Sequence, residues 1–174
     1  IMVGTGKGAE LGVLIKSGTA LETAHKVRAV LLDKTGTITV GKPSVTDVEV
    51  LGPEGGSGAG EARDRLLALA AGAERGSEHP LASAVTRAAA ERGLLVVPPT
   101  SLQAVPGRGI EAEAGGRRIL VGNARMMGER GVDTAPAAGI LERFSRDGKT
   151  ALFVAADGRL EGILAVADTV KAGS

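Results

Sequence analysis

Chemistry in this sequence is concentrated in four short stretches. The first is Val30–Thr37, "VLLDKTGT", where an apolar run stops at Asp33 and small polar residues follow. A carboxylate so placed can be a nucleophile that forms an acyl phosphate, an oxygen ligand for Mg²⁺, or a turn cap that accepts backbone hydrogen bonds. The second is Ser77-Glu78-His79-Pro80, with Glu74 five residues ahead of the imidazole. His79 can meet a planar ligand or only cap the helix that Pro80 announces, and Glu74 can serve a ligand or be an exposed helix-end acid. The third and fourth are Gly107-Arg108-Gly109 and Gly122-Asn123. The glycines suit either a tight turn or a backbone surface open to a ligand, while Asn123 suits a helix N-cap and a polar ligand contact equally well.

Several elements must position these residues. "VRAVLL" (27–32) is short, branched and almost wholly apolar, which predicts a strand covered on both faces in a parallel sheet. Asp33 would then sit beyond the carboxyl end of that strand, where open α/β sheets collect reactive groups. "SVTDVEVL" (44–51) alternates and predicts a half-buried strand, and Gly52 to Gly60 reads as a flexible loop. Helices are expected over 61–74 and 80–93, the second opened by Pro80. Gly115-Gly116 and Asp157-Gly158 each sit between apolar runs and predict two hairpins, 110–122 and 151–168. A further helix is expected over 137–148. Residues 43–166 thus form an α+β block large enough to be a domain. The opening 1–22, if helical, is a glycine-weakened amphipathic helix that needs packing from another segment, and Ile1 reads as a fragment boundary.

Composition narrows the function classes. A chain of 174 residues fits one domain or two small ones. Lys plus Arg number 21 against 20 acids, so the charge of +1 leaves no footprint for a polyanion and nucleic acid is not an expected partner. The absence of cysteine removes disulfides, thiolate metal sites and a cysteine nucleophile. No apolar run reaches the ~20 residues of a membrane-spanning helix. No Gly-x-x-x-x-Gly-Lys-Ser/Thr occurs, and no strand precedes the glycine-rich "GTGKGAELG" (4–12), so a P-loop is not indicated.

"LLDKTGTIT" (31–39) resembles the phosphorylation motif of P-type ATPases over nine consecutive positions. The resemblance implies that Asp33 attacks the γ-phosphate of ATP, that Asp33 and the Thr35 carbonyl hold Mg²⁺, and that the Thr37 hydroxyl lies near the transferred phosphoryl group. Lys34 is read as structural. Soluble phosphatases of the same superfamily carry an acid at the position of Thr35; its absence removes a general acid-base contribution of roughly 10² to 10⁴ in rate and favours a persistent acyl phosphate.

"SEHP" resembles the nucleotide-domain motif of heavy-metal P-type ATPases, which implies His79 beside adenine. With no Tyr, no Trp and two Phe in the chain, few other planar groups could meet a purine. The same resemblance implies nucleotide contacts for Glu74, Gly107, Gly109 and Asn123, but carries no role to Arg108, whose charge could assist phosphates. "IMVGTGKGAELGVLIKSGTALE" (1–22) resembles the segment after the metal-binding transmembrane helix of copper-transporting members, and "ADTVK" (167–171) resembles the return to the phosphorylation domain.

The implied organisation is therefore the end of a transmembrane helix and a cytosolic stalk (1–24), the first part of a haloacid-dehalogenase-like, Rossmann-type phosphorylation domain (25–42), and an inserted nucleotide-binding domain with an antiparallel sheet flanked by helices (43–166). Residues 167–174 would re-enter the phosphorylation domain. The resemblance implies ATP and Mg²⁺, copper(I) ahead of silver as the cargo of the full protein, and a cytoplasmic position for this segment of a multi-pass membrane protein. It also implies that the later acidic segments of the family lie beyond Ser174, leaving nucleotide binding without complete catalysis. A stand-alone nucleotide-binding module and a soluble phosphatase are the alternatives.

Overall fold

The computed structural model describes residues 2–51 and 59–172, and divides the chain into two compact units, Ile1–Asp33 and Lys34–Ser174. Most of the expected loop, 52–58, lies outside the described residues; its last two positions, Ala59 and Gly60, belong to the following helix.

The first unit holds two short helices, α1 (Met2–Glu10) and α2 (Gly18–Ala24). Gly12, at φ 81°, follows the end of α1, and Ser17 caps α2 by accepting a hydrogen bond from the Ala20 N–H at 3.2 Å. Residues 3–33 contain no buried side chain, so the expected single helix is two pieces. The predicted strand 27–32 is not a strand. Leu31 is 98 % exposed, with Val30 and Leu32 exposed on either side, and no described strand pairs with this run. A strand forms by exchanging hydrogen bonds with a neighbour, and an apolar run without one has no ladder to join.

The second unit is a six-stranded, wholly antiparallel sheet with helices on both faces. Its elements are β1 (Thr39–Val50), α3 (Ala59–Glu74), α4 (Pro80–Glu91), β2 (Ser101–Val105), β3 (Gly109–Ala114), β4 (Arg117–Gly122), α5 (Ala124–Glu129), α6 (Ala138–Arg146), β5 (Thr150–Ala156) and β6 (Arg159–Val170). The strand order is β1-β6-β5-β4-β3-β2. β1 starts five residues before the expected strand and runs through Pro43, which an edge strand tolerates because one side of it donates nothing to a ladder.

Alternation along the central strands builds two cores. Ile119, Val121, Leu152, Val154, Leu164 and Val166 pack with Leu66, Leu67, Ala70 and Val85 of α3 and α4. Their neighbours Leu120, Phe153, Ala155, Ile163 and Ala165 pack with Met126, Met127 and Phe144 of α5 and α6. The strands therefore read as continuous apolar runs although every pairing is antiparallel. Burying one such large side chain contributes about 1.5–3 kcal/mol. Both hairpins turn where expected, with positive φ at Gly115 and Gly116 and at Asp157 and Gly158, the conformation that matches the twist of two-residue hairpins.

Candidate nucleotide site

Five of the residues singled out in the sequence line one cavity of about 340 Å³: Glu74, His79, Gly107, Gly109 and Asn123. The end of α3 supplies Glu74, the start of α4 supplies His79, the β2–β3 hairpin supplies Gly107 in its turn and Gly109 at the start of β3, and the start of α5 supplies Asn123. Leu81, Val105, Ile110, Val121 and Leu152 give it apolar walls.

His79 and Asn123 each cap a helix as well as lining the cavity. His79 caps α4, its Nδ1 accepting from the Leu81 N–H at 3.2 Å. That bond fixes Nε2 as the protonated nitrogen of the neutral ring. Asn123 caps α5 through Oδ1, which accepts from the Met126 N–H at 3.0 Å, while its Nδ2 donates to the Gly107 carbonyl at 3.1 Å. One side chain thus joins the β2–β3 turn to α5.

Glu74 is not the exposed helix-end acid that its position allowed. It is 6 % exposed, and burial pushes its carboxyl up to about 7 against the opposing pull of a hydrogen bond from Ser77. Near neutral pH this group can act as a donor or an acceptor, which few carboxyls can. Ser77, the first residue of "SEHP", also lines the cavity, a place that nothing in its local sequence signals. The two glycines differ. A Cβ on Gly109, at φ 150°, would overlap Val121 O and Gly122 Cα, whereas one on Gly107 would meet nothing within 4 Å. The fold itself requires Gly109, and Gly107 leaves open space.

A second hollow of about 350 Å³, also within the Lys34–Ser174 unit, shares Leu81 and Thr150 with the first and includes Lys34, Thr35 and Asp168. The loop on its rim is stitched to the sheet. Gly36 N–H donates to Thr39 Oγ1 at 3.2 Å, the Thr39 hydroxyl donates to the Asp168 carboxylate, and Asp168 Oδ1 accepts from the Gly41 N–H at 2.9 Å. Lys171 Nζ donates to the Gly36 carbonyl at 2.5 Å. The sequence singled out "ADTVK" without indicating that Asp168 and Lys171 would hold this loop. Thr35 and Thr37 are exposed, and Thr37 lines neither hollow. Asp33 is exposed and closes the other unit. Among the described residues no group of three or more His, Asp or Glu side chains is gathered as a metal would require.

A haloacid dehalogenase-like hydrolase family model matches residues 27–174. The chain is 46 % identical over 171 residues to a copper-transporting P-type ATPase of Rhizobium leguminosarum, covering 98 % of this chain and 20 % of that protein. It is 48 % identical over 172 residues to a probable copper-exporting P-type ATPase of Archaeoglobus fulgidus, with the same two coverages. Among solved structures, a zinc-transporting PIB-type ATPase in its E2.Pi state superposes with a TM-score of 0.77 at 37 % identity, over 91 % of this chain and 24 % of that one. The chain thus spans about a fifth of the length of the curated relatives it matches. With the family match extending over most of its residues, the chain belongs to the haloacid dehalogenase-like hydrolases.

Proposed function

We infer that this chain is the ATP-binding part of a P-type ATPase that exports copper(I) through an aspartyl-phosphate on Asp33. The observation that carries this reading is the convergence of Glu74, His79, Gly107, Gly109 and Asn123, drawn from four separate elements, on one cavity. The cargo rests on the names of the relatives, which are copper transporters at 46 % and 48 % identity. In this reading the full protein is a multi-pass membrane protein and this segment is cytoplasmic; no helix among the described residues is long and apolar enough to cross a membrane. Residues 1–24 are the stalk, 25–42 and 167–174 belong to the phosphorylation domain, and 43–166 bind nucleotide.

The chemistry follows from the groups at hand. Glu74 and His79 present hydrogen-bonding and planar groups for adenine, Gly107 leaves room for the nucleotide, and Asn123 offers an amide toward ribose and phosphate. The Asp33 carboxylate would attack the γ-phosphorus as the bond to ADP breaks, and ADP would leave with the electron pair. Thr37 would hydrogen-bond the transferred group. Asp33 and the Thr35 carbonyl are hard oxygen donors of the kind Mg²⁺ takes together with nucleotide phosphates. When bound, the ion would neutralise charge on the phosphoryl group. Thr35 has no acid to activate water, so the acyl phosphate would persist.

Calorimetric titration of ATP into the native chain should give a dissociation constant of about 0.1–1 mM. The His79→Ala variant should bind several-fold more weakly, and an unchanged affinity would refute the adenine assignment.

A further inference from the structure

We propose that Arg108 is the residue that reads the nucleotide's phosphate tail, and that Glu129 is a built-in competitor for it. The inference rests on the nucleotide reading above and extends it to a residue that the sequence resemblance left without a role. Among the described residues lining the cavity, Arg108 is the single Lys or Arg, and its guanidinium carries five N–H donors in a planar fork. Adenine and ribose are uncharged, so a cation in the lining favours ATP over adenosine, and Arg108 is placed to be one.

Its position is firmly set. Arg108 lies between Gly107 and Gly109, both at positive φ. Its carbonyl accepts from the Asn123 N–H at 2.8 Å and its own N–H donates to Val105 O at 3.0 Å. The guanidinium pairs with the Glu129 carboxylate, the two side chains being 29 % and 36 % exposed. Glu129 stands at the end of α5, the helix that Asn123 caps, so the side chain that anchors the turn also fixes the helix bearing its counter-charge. Glu129 also meets Arg125 at 3.3 Å, leaving it a cationic partner when Arg108 turns away. An incoming phosphate would exchange one anion for another at Arg108, so loss of the Glu129 pair offsets part of the gain from the phosphate contact.

The test is the ratio of ATP to adenosine affinity, measured by NMR titration at low salt without divalent cation, for the native chain and for Arg108→Ala, Arg108→Lys and Glu129→Gln. The native chain should prefer ATP. Arg108→Ala should cut that preference about five-fold by weakening ATP and sparing adenosine, and Arg108→Lys should restore part of it. Glu129→Gln should tighten ATP about two- to three-fold with adenosine unchanged. An ATP-to-adenosine ratio unmoved by Arg108→Ala, or ATP binding weakened by Glu129→Gln, would overturn the proposal while leaving the adenine site intact. Failure of the native chain to bind either ligand would bring down the nucleotide reading and this one with it.

Discussion

Two short apolar runs, Val27–Leu32 and Ala151–Ala156, look alike in the sequence and fare differently in the structure. The second is the interior of β5, hydrogen-bonded to β4 on one side and β6 on the other, with Val154 facing α3 and α4 and Phe153 facing α5 and α6. The first is exposed and unpaired. Both runs are mostly apolar, Arg28 being the one charged residue in either, so apolar character alone does not decide the outcome. Partners decide it: a run becomes a central strand when others satisfy its backbone groups and helices cover both its faces. The two candidate sites divide along the same line. The cavity around Glu74 is built wholly from paired and capped elements, whereas Asp33 ends a stretch, residues 3–33, without a buried side chain.

The largest break in the comparison should come from truncating each run. Phe153→Ala should lower unfolding free energy by about 3–5 kcal/mol in a urea titration, and Leu31→Ala should change it by less than about 0.5 kcal/mol. Comparable losses would mean that 27–32 has a partner.

Next in size is the contrast within the turn at the cavity. Gly109→Ala must push against the backbone of β4 in a left-handed conformation and should cost about 3 kcal/mol, while Gly107→Ala faces only the conformational cost of about 1–2 kcal/mol.

A pH dependence follows from Glu74. Its folded carboxyl is raised from 4.5 to about 7, so the unfolded chain releases this proton first. Stability should fall as pH rises from about 4.5 through 7 and then level off, by up to about 3 kcal/mol. Glu74→Gln should match the native chain in thermal melts at pH 4 and melt higher at pH 8. Parallel melting at both values would show that burial does not hold this proton.

Much of this was legible where the signal is local. Pro80 opened α4, and the Gly-Gly and Asp-Gly pairs fixed both hairpins because two-residue turns need left-handed backbone there. The cavity residues were found through short motifs and proved to be neighbours. Three features were not legible. β2 is an edge strand of five residues, exposed along most of its length, and its alternation over Ser101 to Ala104 is too short to stand out. The pairing of β1 with β6 joins residues more than a hundred positions apart, and no local pattern encodes such a contact. Thr150 to Leu152 reach the cavity only because β5 takes its place in the sheet.

The central claim is that the capped and paired region is where nucleotide binds. Amide chemical-shift mapping of the native chain during ATP addition tests this most directly. Shifts are expected at Glu74, Ser77, His79, Gly107, Gly109 and Asn123, with residues 27–32 unmoved. Saturable binding that leaves those six amides in place would contradict the account.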